Sequence, residues 1–117
     1  MVTVPEIDVP EIDVAELAAR LDAGAVLVDV RQPDEYEAGH VPTARLVPLD
    51  AVPDRLDAFT ANGTSEGDVL VICRSGARSR AACEFLIEEG VAAVNVAGGT
   101  LAWLASGRDV VGGPLPS

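Results

Sequence analysis

The sequence predicts an α/β domain built on a mainly parallel sheet. Two runs of almost wholly aliphatic residues, Val26–Val30 and Val69–Ile72, carry this prediction, with a third apolar segment over 92–97 and helical spacing between them. Such uninterrupted runs suit strands buried on both faces, the condition of a parallel sheet covered by helices. Strand and helix patterns that alternate along the chain give the α/β class.

Residues 4–8 and 9–13 are the same five letters, Val-Pro-Glu-Ile-Asp, in tandem. Five residues are too few for a stacking repeat. The second copy is expected to enter the fold and the first to trail as an extended tail over 1–8, since each proline removes a backbone donor and favours edge or extended backbone. Asp13 and Glu16 resemble a capping box ahead of a helix spaced on Val14, Leu17, Ala18 and Leu21, with Gly24 as its stop. After the strand at 26–30, residues 31–48 read as a long connection holding a short helical turn near 34–38. Residues 53–59 read as another short helix, and 62–68 as a loop by composition. A helix follows the second strand over 77–89 and ends at Gly90. The third strand leads through Gly98-Gly99 into a short helix over 101–105 that Gly107 ends. The domain is expected to span 9–111, with 112–117 as a C-terminal tail.

The chain has 117 residues, one domain's worth. Eight Arg, no Lys and nineteen acidic residues give a net charge of -11. An acidic surface repels nucleic-acid phosphates and anionic lipid, so neither nucleic acid nor membrane is an expected partner. No apolar run approaches the ~18 residues of a membrane span. The start, Met-Val-Thr-Val-Pro-Glu, lacks the basic and apolar regions of a secretory signal. Two cysteines do not make a disulfide framework, and a reduced, cytoplasmic setting is the expectation. The expected oligomeric state is monomer, on size alone.

In open α/β sheets, ligands bind beyond the carboxyl ends of strands. Cys73 stands at such an end, followed by Arg74-Ser75-Gly76-Ala77-Arg78-Ser79 and a helix. Gly76 permits the positive φ that lets a loop curl with its N–H groups inward. The helix behind adds unpaired N–H groups and the positive end of its dipole. Arg74, Arg78 and Arg80 fall within eight residues that hold no acid, in a chain of net charge -11. These features lower a thiol's pKa and hold its anion, which makes the sulfur a nucleophile near neutral pH. The competing reading is a small apolar cysteine that ends a buried strand beside a solvated Arg face.

The run Cys73–Ser79 closely resembles the active-site loop of single-domain rhodaneses, the thiosulfate-type sulfurtransferases. So do Leu27-Val28-Asp29-Val30-Arg31 with Glu35 and Tyr36, then Gly39-His40-Val41-Pro42, and Val96-Ala97-Gly98-Gly99-Thr100-Leu101-Ala102-Trp103, over residues 9–111 in the family's order. The resemblance implies a rhodanese-like three-layer fold, a central sheet of about five strands flanked by helices. It implies ping-pong transfer through a Cys73 persulfide without metal or organic cofactor. A small anionic donor such as thiosulfate would load the cysteine, and a thiol, cyanide or an acceptor protein would take the sulfur. The residues agree, because donor and persulfide are both anions that the amides of Arg74, Ser75, Gly76, Ala77, Arg78 and Ser79 can hold. Arg74 is the side chain expected to meet the donor, whereas Arg78 can instead turn inward and pin the loop to an acid. The site is expected to be open and shallow.

Two other classes remain. A thiol phosphatase or arsenate reductase also sets a cysteine at a strand end, but with five residues between cysteine and arginine, whereas four separate Cys73 from Arg78. A non-catalytic interaction module would use the acidic surface. Cys83, about 9 Å along the helix from its start, reads as a core filler, with a resolving thiol as the alternative. Asp29 and Arg31 are expected to knit neighbouring loops, His40 to order its own loop, and Trp103 to fill core. Thr43 stands where the family's Gly-His-Ile-Pro-Gly-Ala has its second glycine.

Overall fold

The computed structural model describes residues 8–59 and 68–113. Residues 4–7 of the first Val-Pro-Glu-Ile-Asp copy, and residues 62–67 of the predicted loop at 62–68, lie outside them.

Five strands, β1 (Glu11–Ile12), β2 (Val26–Asp29), β3 (Arg45–Leu46), β4 (Val69–Ile72) and β5 (Ala93–Val96), form one sheet in the order β1-β5-β4-β2-β3. Every pairing is parallel, and the central register sets Leu27 beside Leu70 and Leu70 beside Val94. Among the described residues the α-helices are α1 (Val14–Asp22), α2 (Pro33–Ala38), α3 (Ala77–Glu88) and α4 (Gly99–Ala105). Among the described residues no helix is long and apolar enough to cross a membrane.

Alternation along the strands separates two cores. Val28, Val30, Val71 and Cys73 face one side, where Ala82, Cys83 and Leu86 of α3 and Val52 and Phe59 cover them. Leu27, Leu70, Ile72, Val94 and Val96 face the other, against Leu17 of α1, Tyr36 of α2 and Trp103 of α4. The result is three layers, as the resemblance implies. Trp103 is core as expected, and its indole N–H donates to the Asp109 carbonyl at 2.8 Å.

Three local expectations need correction. Residues 31–48 hold a strand as well as a helix, because Arg45–Leu46 pairs with Val28–Asp29. Two residues are too few to show alternation. The short helix at 53–59 is two 3₁₀ turns, Leu49–Asp54 and Leu56–Phe59. Pro53 lacks the N–H an α-turn needs there, so the chain closes through Ala51 N–H to Pro48 O and Arg55 N–H to Val52 O. Only half of the α1 capping box forms: the Asp13 carboxylate accepts the Glu16 N–H at 2.9 Å, while the Glu16 side chain turns to Arg20 at 2.7 Å.

Near the C-terminus, His40 and Val111 exchange two backbone hydrogen bonds, and the Gly113 N–H donates to Glu37 O at 2.8 Å. Thr43 has φ +74°, the left-handed region that its β-branch disfavours.

Candidate active site

The site is assembled where β4 ends and α3 begins. Gly76, at φ +110°, turns the chain into α3 and carries its own N–H inward. That N–H lies 3.1 Å from Cys73 Sγ, and the Ser79 Oγ lies 3.3 Å from the same sulfur. Burial pushes the Cys73 thiol up. Hydrogen bonds from the Ser79 hydroxyl and from the N–H groups of Ser79, Gly76 and Ser75 outweigh it, and the thiol titrates below its ordinary value.

The sequence places this sulfur where the fold opens. In the structure Cys73 is only 1% exposed, while Arg74, Ser75 and Ala77 of the loop are exposed around it. The physical reason is the cradle itself, since a loop tight enough to aim several N–H groups at one sulfur must also wrap it.

The loop is held from behind. Thr100 N–H donates to Cys73 O at 2.9 Å, Thr100 Oγ1 donates to the same carbonyl at 3.1 Å, and Leu101 N–H donates to Arg74 O at 3.1 Å. These bonds at the start of α4 draw the loop carbonyls away from the sulfur. Gly99 makes the approach possible, because a Cβ there would sit 2.5 Å from Cys73 O and 2.6 Å from Arg74 O. The glycine pair of the tail signature is thus part of the site's frame.

The three loop arginines divide in role. Arg78 is closed on Glu35 of α2 through a two-fold fork at 2.7 and 2.9 Å. The Arg78 guanidinium holds the Glu35 carboxyl down at about 2. Arg78 is therefore a clamp on the loop, the inward alternative of the sequence reading, and not a free cation for substrate. Arg80 lies 3.7 Å from Glu11 and 3.8 Å from Glu84. Arg74 is exposed and forms no ion pair among the described residues. It stands on an open groove of about 280 Å³ whose walls include Arg31, Glu35, Leu101, Leu104 and Val110.

The supporting residues sit outside the cradle. Asp29 is buried and accepts three nitrogens of Arg31 at 2.8–3.0 Å, and Arg31 reaches on to Gly39 O at 2.7 Å. His40 stacks on the Tyr36 ring at 3.6 Å and lies 2.7 Å from Tyr36 O through Nδ1. A carbonyl only accepts, so Nδ1 carries the proton. Cys83 is fully buried and free, and burial pushes its thiol up to about 12. A thiol so placed is inert near neutral pH.

Two contributors were not singled out by sequence reasoning. Glu35 has no assigned role in the sequence, although an acid in the first turn of a short helix is a legible partner for a loop arginine. Asn95, on β5, contacts Ser79 and Gly76. A buried polar residue in an otherwise apolar strand is the signal that marks it.

Comparison with known proteins agrees with this geometry. The family model described as rhodanese-like domain matches residues 13–106. A sulfurtransferase of Allochromatium vinosum is 38% identical over 87 residues, covering 74% of this chain and 78% of that protein. The thiosulfate sulfurtransferase GlpE of Pseudomonas putida is 35% identical over 91 residues, 77% of this chain and 79% of the relative. A solved rhodanese-related protein from Thermoplasma volcanium superposes with TM-score 0.77 at 30% identity, over 87% of this chain and 97% of that one. With its parallel sheet and its cysteine loop in the matched segment, the chain belongs to the rhodanese-like domain family.

Proposed function

We propose that this chain is a sulfurtransferase that carries sulfane sulfur on Cys73. The observation that carries the reading is the donor cradle around the Cys73 sulfur, with Gly76 N–H at 3.1 Å and Ser79 Oγ at 3.3 Å. Such a cradle stabilises negative charge on the sulfur that attacks.

With thiosulfate as donor, the Cys73 thiolate attacks the outer sulfur. An S–S bond forms to Sγ, the bond between the two thiosulfate sulfurs breaks, and sulfite leaves with that electron pair. The enzyme keeps the single negative charge, now on the terminal sulfur of the persulfide. In the second half, the thiolate of a small thiol or acceptor protein, or cyanide, attacks that terminal sulfur and Cys73 leaves as thiolate. No proton acceptor is needed in either half, because the nucleophile already lacks its proton. Arg74, exposed and in no ion pair among the described residues, meets the donor's sulfonate end. The amides of Arg74, Ser75, Gly76, Ala77, Arg78 and Ser79 supply the remaining donors. Asp29, Arg31 and His40 keep the flanking loops in place.

Phosphoryl or arsenyl chemistry is disfavoured by the same geometry. Four residues, not five, separate Cys73 from Arg78, and Arg78 itself is closed on Glu35 and does not face the sulfur's open side as an oxyanion ligand. Incubation with thiosulfate followed by intact mass tests the proposal. One added sulfur is expected on the wild type and none on Cys73→Ser. Turnover of p-nitrophenyl phosphate without sulfur uptake overturns it.

A further inference from the structure

Ser79 has one hydroxyl proton and faces three acceptors. Its Oγ lies 2.5 Å from Asn95 Oδ1, 3.2 Å from Gly76 O and 3.3 Å from Cys73 Sγ. The carboxamide of Asn95 cannot be turned to relieve this competition. Its Nδ2 donates to Glu11 Oε2 at 2.9 Å and to Gly76 O at 3.2 Å, and both of those atoms only accept. Oδ1 is thereby aimed at Ser79, in a site where Asn95 and Ser79 are buried. The hydroxyl proton sits in the short bond to Asn95, and the longer contact to sulfur is the alternative.

We propose that Asn95 is a positioning residue that competes with Cys73 for the Ser79 proton, so that the hydroxyl turns to Sγ when the thiolate forms and returns to Asn95 when the charge leaves that sulfur. The first half concerns only the state of the thiol. The second half rests on the persulfide reading above, in which loading moves the charge to the terminal sulfur and leaves Sγ a weak acceptor. The proton balance is simple: the thiol proton goes to solvent, and the hydroxyl keeps its own proton and changes acceptor. Competition keeps the thiolate less tightly held than its cradle permits. That preserves nucleophilicity, which falls as a thiol becomes more acidic.

The charged and titratable groups nearest Cys73 are its chain neighbour Arg74, Arg78, which is closed on Glu35 of α2, and Cys83 of α3; Arg80, Glu84 and Glu11 of β1 act on Cys83, and Asp29 of β2 is closed on Arg31. The test leaves all of them intact. The rate of iodoacetamide alkylation of Cys73 is measured against pH in wild type, Asn95→Ala, Ser79→Ala and the double variant. Asn95→Ala is expected to move the midpoint to lower pH and to raise the rate on its acid side roughly two- to threefold, the roughly fivefold gain in thiolate from one ordinary hydrogen bond less the accompanying fall in nucleophilicity. Ser79→Ala is expected to move the midpoint up, and the double variant to match Ser79→Ala. An unchanged or raised midpoint in Asn95→Ala overturns the proposal. So does a fall of the same size in the Ser79→Ala background, because Asn95 would then act through the loop and not through the hydroxyl. If Asn95→Ala fails to fold by circular dichroism, Asn95→Leu, which keeps the branched shape without the polar atoms, takes its place. Thiosulfate loading, followed in parallel by intact mass, reports separately on sulfur transfer, so failure there leaves the titration result standing.

Discussion

The Glu35–Arg78 pair joins α2 to the cysteine loop across 43 residues of sequence, and its contribution to stability can be worked from its titration. The Glu35 carboxyl titrates at about 2 in the fold against an ordinary 4.5, chiefly because it accepts from Arg78. By linkage that difference amounts to about 3 kcal/mol as a ceiling. The side chains are 35% and 27% exposed, so solvent screening cuts the working figure to about 1–1.5 kcal/mol. The folded-state value is depressed. The contribution is therefore fully present above pH 4.5 and is lost as pH falls toward 2. Glu35→Gln retains an acceptor for the Gln32 N–H that Glu35 now receives at 3.1 Å, so the substitution removes mainly the charge. Urea unfolding followed by the fluorescence of Trp103, the sole Trp, is the assay. The variant is expected to be about 1–1.5 kcal/mol less stable at pH 7, with the gap narrowing steadily as pH is lowered from 5 toward 3. A gap that stays constant or widens over that range would refute the assignment of the effect to this ion pair.

Two further substitutions probe the backbone. Thr43→Gly relieves a β-branched residue at φ +74°; strain of about 1–3 kcal/mol, less the entropy glycine adds to the unfolded chain, predicts a net gain of about 1 kcal/mol in chemical denaturation. A loss of stability would show that the exposed threonine side chain holds the turn. Gly99→Ala drives a Cβ into the carbonyls of Cys73 and Arg74 and is expected to cost about 2–4 kcal/mol and to slow alkylation of Cys73. Gly90→Ala is the control: its φ is +86° but nothing lies within 4 Å of the added carbon, so only local strain is expected, with Cys73 reactivity unchanged. Equal behaviour of the two variants would remove Gly99 from the frame of the site.

The α/β class, the three longer strands, the α-helices around them and the place of Cys73 at a strand end, where the proposed chemistry sits, are legible in the residues alone. Each is a local matter. Four consecutive aliphatic residues at 69–72 want burial on both faces wherever they lie, and a cysteine followed by Gly76 and a helix start carries its donors along the chain. The tertiary structure decided what long-range pairing decides. β3 exists because Val28–Asp29 is there to pair with it, and Arg78 is a clamp because α2 brings Glu35 to it. Asn95 reaches the sulfur's neighbour from another strand, and the first turn of α4 takes the loop carbonyls. The directions of Arg78 and the Ser79 proton depend on groups 43 and 16 residues away, and no spacing rule encodes such distances. Cys73 is likewise hidden because its cradle closes around it, which is a property of packing and not of the run of letters that contains it.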